Sequence, residues 1–131
     1  MQRTTANVPD EVRQLLARLR DPEFARILVV TLAETTPVDE ADRLQSDLQR
    51  AGIQPFGWIV NASLANSQSK HPTLRARAAA EIAQIDRVRQ LSERATWLVG
   101  WQPKVPVGID ALRELAGRMP VGGALALAIP S

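Results

Sequence analysis

The sequence has 131 residues, one domain's worth and enough chain to bury a core. Hydrophobic residues make up 45% and charged residues 23%, which places the chain in the soluble globular class. A net charge of +2 with a pI near 9.9 reflects 14 Arg among 16 basic residues and little else to titrate. Those Arg alternate with Asp and Glu, which argues against a nucleic-acid partner.

The first elements follow in chain order. Val12, Leu15, Leu16 and Leu19 recur at helical spacing behind Pro9, Asp10 and Glu11, so a helix is predicted over Pro9–Arg20 and Asp21-Pro22 stops it. Ile27–Leu32 is a nearly unbroken β-branched run, the pattern of a strand covered on both faces in a parallel sheet. A second helix begins with Thr36 as N-cap, Pro37 in the first turn and Asp39 reaching back. Its apolar stripe is Val38, Ala41, Leu44, Leu48 and Ala51, and Gly52 ends it. Phe56–Ala62 is the next strand, so the pair forms a right-handed βαβ crossover.

LANSQSK, over 64–70, reads as a surface loop. A helix of roughly 30 Å is predicted from Pro72 to about Glu93, with Leu74, Ala78, Ile82, Ile85, Val88 and Leu91 inward and Arg75, Arg77, Glu81, Asp86, Arg87 and Glu93 on a solvated face. Thr96–Trp101 is the third strand, QPKVPVG a structured turn, and Ile109–Met119 a last helix with Leu112, Leu115, Ala116 and Met119 in register. The tail Val121–Ser131 reads either as a strand or as a loosely ordered end. The fold class is α/β: one three-layer domain over 1–131 with a short parallel sheet of about three strands flanked by helices.

No Cys is present, so disulfides and thiolate metal sites are excluded. The N-terminus lacks an apolar signal core, and the longest apolar run, Val121–Pro130, is half of the roughly 20 residues a bilayer requires. The chain therefore reads as soluble and cytoplasmic, with no direct membrane insertion.

Ligands of open parallel sheets bind beyond the carboxyl ends of the strands. Glu34 with Thr35 and Thr36 stands at the first such end, Asn61 at the second, and Gly100 to Pro103 at the third. The Asn61 amide, with one acceptor and two donors, suits the edge of adenine; equally, an Asn there caps a turn through its own backbone. Trp101 after Gly100 forms either an aromatic wall over a base or a piece of core. Glu34 and Glu40 are either ligand or interface acids or ordinary strand-end and helix-start acids. His71 is alone and has no partner for catalysis. No Ser-His-Asp order, HExxH or GxxxxGK[ST] occurs in the sequence, so no catalytic residue and no metal ligand is nominated.

The runs ILVVTLAETTPVDEADRLQSDLQRAGIQPFGWIVNASL, HPTLRARAAAEIAQIDRVRQL and WLVGWQPKVPVGIDALREL, in that order, closely resemble the C-terminal part of bacterial arsenical pump-driving ATPases. These are deviant-Walker P-loop ATPases related to the ATPases that target tail-anchored proteins. The resemblance covers roughly Asp21 to Leu115. It implies part of a P-loop NTPase-like α/β domain that works as two halves or a dimer, with ATP or ADP near the interface. It also implies that Asn61 contacts adenine and that Gly100, Trp101 and Gln102 cover the base, although the family has proline where this chain has Gly100. Glu34 and Glu40, in TLxETTPVxEA, match acidic positions near nucleotide and partner.

The family's phosphate loop with its lysine, its switch aspartates and its DTAPTGH-like signature have no counterpart in this sequence, and neither do its metalloid-binding thiolates. The resemblance thus implies a portion that neither hydrolyses ATP nor binds arsenite alone. Its implied partners are a P-loop-containing ATPase half, which also supplies the Mg²⁺ site, or a second copy. Through the complete ATPase, a membrane arsenite efflux pump follows. The alternative is a stand-alone, non-catalytic interaction module that kept the scaffold.

Overall fold

Residues 8–118 are described by the computed structural model, and the elements alternate over them in the predicted order. They are α1 (Asp10–Arg20), β1 (Leu28–Leu32), α2 (Thr35–Arg50), β2 (Gly57–Ser63), α3 (Pro72–Leu91), β3 (Ala95–Gly100) and α4 (Ile109–Gly117). The expectations for Met119 and for Val121–Ser131 lie outside the described residues.

The three strands are parallel, in the order β1-β2-β3. Right-handed crossovers that step the same way across a sheet deliver their helices to one face. Accordingly α2 and α3 both pack on the face that carries Val29, Trp58 and Val60, where Val38, Ala41, Ile85 and Val88 complete the core. A buried polar link ties this layer together. The Trp58 indole N–H donates to Gln45 Oε1 at 2.7 Å, and Gln45 Nε2 donates to the Leu91 carbonyl at 2.9 Å. One side chain so satisfies an indole in the core and a carbonyl at the end of α3.

The opposite face differs from the expectation of a strand buried on both sides. β1 alternates exposed and buried, with Val30 58% exposed and Leu28 and Leu32 also in solvent. The two crossover helices, α2 and α3, both lie on the other side. The N-terminal end of the open face is partly closed by Trp97, which stacks on Phe56 at 5.8 Å between ring centres. Gly57 makes room for this: a Cβ there would stand 2.5 Å from the Trp97 ring and from the Ala95 carbonyl.

Helix details also depart from the pattern reading. α2 starts at Thr35 with Glu34 in the N-cap position and no side-chain cap, so Thr36 is not the cap. Pro37 is tolerated because its position is still among the first N–H groups without an intrahelical acceptor. Asp39 pairs instead with Arg87 of α3 at 2.6 Å. The buried side of α3 is Glu81, Ile85 and Val88, while Ile82 and Leu74 are exposed. Neither α1 nor α4 contains a buried residue. α1 is held through Arg20 Nε, which donates to the Ala51 carbonyl at 2.7 Å.

Candidate functional site

The carboxyl ends of the three strands meet at a cavity of about 310 Å³, at the small end of the range of roughly 300–1,000 Å³ for small-molecule sites. Glu34, Asn61 and Trp101 all line it, each delivered by a different strand end. Glu34 stands where β1 passes into α2, and its carboxylate pairs with Arg77 of α3 at 2.9 Å. Asn61 lies beside Leu32 in the ladder, on the open face of the sheet, with its side chain in solvent. Its amide makes no side-chain hydrogen bond among the described residues, so its acceptor and two donors are available to a ligand. Trp101 is 56% exposed and fills no core. A free amide beside an indole plane is suited to a flat heteroaromatic ring with polar edges.

Past Asn61 the strand is bent. Ala62 has φ +51, the left-handed region that non-glycine residues rarely adopt. Between the pairs Val60↔Leu98 and Ser63↔Gly100, β2 spends one residue more than β3. This one-residue bulge resets the alternation of side chains. Ser63 would otherwise share the open face with Asn61; it turns instead to the helix layer and is buried.

There Ser63 Oγ donates to Glu81 Oε2 at 2.8 Å, and the Leu64 backbone N–H donates to the same oxygen at 2.8 Å. The Trp101 N–H donates to the Ser63 carbonyl at 2.9 Å. Glu81 also lines the cavity. Apolar periodicity predicts this residue on the solvated face of α3, yet it is only 6% exposed. The signal was in the spacing: 81, 85, 88 and 92 form one stripe, and Ser92 is buried with the others.

The remaining nominated residues are placed apart. Glu40 is exposed in a neighbouring recess of about 340 Å³ with Val30, Leu32, Pro37 and Leu44, which shares only Leu32 and Asn61 with the first cavity. Gly100 lines neither, and its carbonyl accepts from Gln102 Nε2 at 3.0 Å. That bond turns Gln102 toward a third recess, of about 470 Å³, between the 103–107 turn and α4. Among the described residues no three His, Cys, Asp or Glu side chains gather as metal ligands. No described helix is long and apolar enough to cross a membrane.

Comparison with known proteins agrees with the resemblance. Residues 1–120 match the family model described as anion-transporting ATPase. The arsenical pump-driving ATPase of Escherichia coli is 50% identical over 99 residues, and that of Acidiphilium multivorum is 46% identical over 100; each match covers 76% of this chain. The matched region spans 17% of the length of either relative. With its α/β order, its parallel three-stranded sheet and a family match over nearly its whole length, the chain belongs to the anion-transporting ATPase family.

Proposed function

We propose that this chain supplies the adenine-recognition wall and an interface surface of an arsenical pump-driving ATPase-like assembly, and that it is not catalytic alone. The observation that carries the reading is the convergence of Asn61, Trp101 and Glu34 on one cavity at the strand ends. In this reading Asn61 pairs with the polar edge of adenine and Trp101 lies against the ring. Gly100 and Gln102 support the turn that presents Trp101, and Glu34 and Glu40 face the nucleotide or the partner. Phosphoryl transfer requires backbone N–H donors, a Lys and Mg²⁺ around the phosphates. The 131 residues contain no GxxxxGK[ST] to provide them. A P-loop-containing half completes the site, in the cytoplasm and coupled to a membrane arsenite efflux pump.

One amide and one ring give weak binding, so the isolated chain should hold ADP no better than about millimolar, roughly 4 kcal/mol. Isothermal calorimetry checks this, and micromolar affinity would sink the reading. Adding the P-loop half in trans should raise ATP turnover above that of the half alone.

A second reading, a stand-alone interaction module, is favoured by the apolar face of β1. Leu28, Val30 and Leu32 stand exposed beside one another there. Sedimentation at low concentration separates the two: a module pairs with itself, whereas an incomplete ATPase portion associates only when the other half is added.

A further inference from the structure

We infer that Glu81 is the positioning residue of the base site: one oxygen of its carboxylate holds the bulged end of β2 so that Asn61 and Trp101 face the same cavity. The inference rests on the base-recognition reading given above. Glu81 itself is assigned no contact with the base.

The geometry is specific. Asn61 is on the open face and Ser63 on the helix face, two residues apart, which a regular strand does not permit. The reversal happens at Ala62, in a left-handed conformation that an L side chain resists. A backbone of that kind persists only where its surroundings over-determine it. Glu81 is what meets it: the hydroxyl of Ser63 and the N–H of Leu64 both converge on Oε2. Ser63 then passes the constraint on in two directions. Its Oγ accepts from the Ala65 N–H at 3.1 Å, and its carbonyl accepts from the Trp101 N–H. The helix residue thereby fixes the relative placement of two walls carried by different strands.

An apolar residue at 81 would suit the stripe with Ile85 and Val88 better for packing alone. A carboxylate buried to this degree is costly to keep unless hydrogen bonds compensate it. Both donors it receives come from the segment that carries the site, which is the placement a positioning role requires.

The experiment uses the full chain and its Glu81→Ala, Glu81→Gln and Ser63→Ala variants, with Val88→Ala as the control for general loss of packing. Amide hydrogen exchange is followed at Leu64, Trp101 and Val60, and ADP is titrated against the Asn61 side-chain amide and Trp101 indole resonances.

Glu81→Ala should speed exchange at Leu64 and Trp101 by about tenfold relative to Val60 and weaken ADP by about threefold. Glu81→Gln, whose carbonyl oxygen can accept both bonds, should restore each to within about twofold. Ser63→Ala keeps the carboxylate and the Leu64 bond; an increase of about threefold at Trp101 supports the clamp even where Glu81→Ala does not fold. Val88→Ala should destabilise the fold without changing the ratio of Leu64 and Trp101 to Val60. Leu64 and Trp101 following Val60 in Glu81→Ala, or in Ser63→Ala where the former does not fold, would overturn the inference. So would Val88→Ala reproducing the selective change. A wild-type chain whose Asn61 and Trp101 resonances ignore ADP would overturn the base site instead, and the exchange ratios would still decide the clamp.

Discussion

The two faces of the sheet were built from the same strands and have opposite fates. On one face Val29, Trp58 and Val60 are sealed under α2 and α3, and even the polar atoms there are paired through Gln45. On the other, Leu28, Val30 and Leu32 carry equally apolar side chains into solvent. The difference follows from connectivity, because two right-handed crossovers stepping in one direction can cover only one side. Stability of the described region is therefore concentrated on the helix face, and the open face is available for a partner layer.

A charge placed on either face breaks or sharpens this contrast. Val29→Asp buries an unpaired carboxylate among α2 and β2 side chains and should cost about 4 kcal/mol or more, abolishing a cooperative urea transition. Val30→Asp, one residue along, should change the same transition by no more than about 0.5 kcal/mol. Equal losses at the two positions would mean that the open face is covered in solution. A second layer docking on β1 would then account for the loss, and sedimentation of wild type and Val30→Asp would reveal it.

The next effect lies within the covered face. Gln45→Leu keeps the volume but strands the Trp58 indole N–H and the Leu91 carbonyl. The expected loss is about 1–3 kcal/mol, read by chemical denaturation. A neutral or stabilising result would show that the pair contributes specificity and not stability.

Gln45 and Glu81 also mark what was legible in the sequence. The alternation of elements and their boundaries to within a residue or two followed from prolines, glycines and β-branched runs, since those are local signals. Apolar periodicity points to Leu44 and Ile82 for the buried sides of α2 and α3, over their neighbours Gln45 and Glu81. Both apolar residues proved to be exposed and both polar ones buried. A polar side chain enters the core only when a partner waits there, and the partners, Trp58 and Ser63, are distant in sequence. The same limit applies to the site. Asn61, Trp101 and Glu34 were legible as strand ends, whereas the bulge at Ala62, which turns Ser63 toward Glu81, depends on tertiary hydrogen bonds.

That bulge supports a smaller prediction. Ala62→Gly relieves a left-handed Cβ clash of roughly 1–2 kcal/mol, offset by the backbone entropy of glycine, about 0.5–1 kcal/mol. The net should be a gain of up to about 1 kcal/mol in urea melts. Ala62→Val, β-branched at positive φ, should instead destabilise. A matching effect of valine and glycine would mean that Ala62 leaves the left-handed region in solution and that the strand end is not held.

The smallest effect belongs to the Arg77–Glu34 pair at the cavity wall. Both side chains are half-exposed or more, so water screens the attraction and side-chain entropy offsets much of what remains. Arg77→Ala should cost less than about 1 kcal/mol, and the difference from wild type should shrink further in about 1 M salt, where the Debye length falls to about 3 Å. Its consequence for binding is separate from its consequence for stability. Arg77 lines the cavity with Asn61 and Trp101, so truncating it opens the cavity while the core beneath is untouched. An Arg77→Ala chain that melts like wild type yet changes its ADP-induced shifts at Trp101 would place the pair in the site. One that loses several kcal/mol would instead make it part of the covered layer, and the division of the sheet into a stable face and an available one would have to be redrawn at α3.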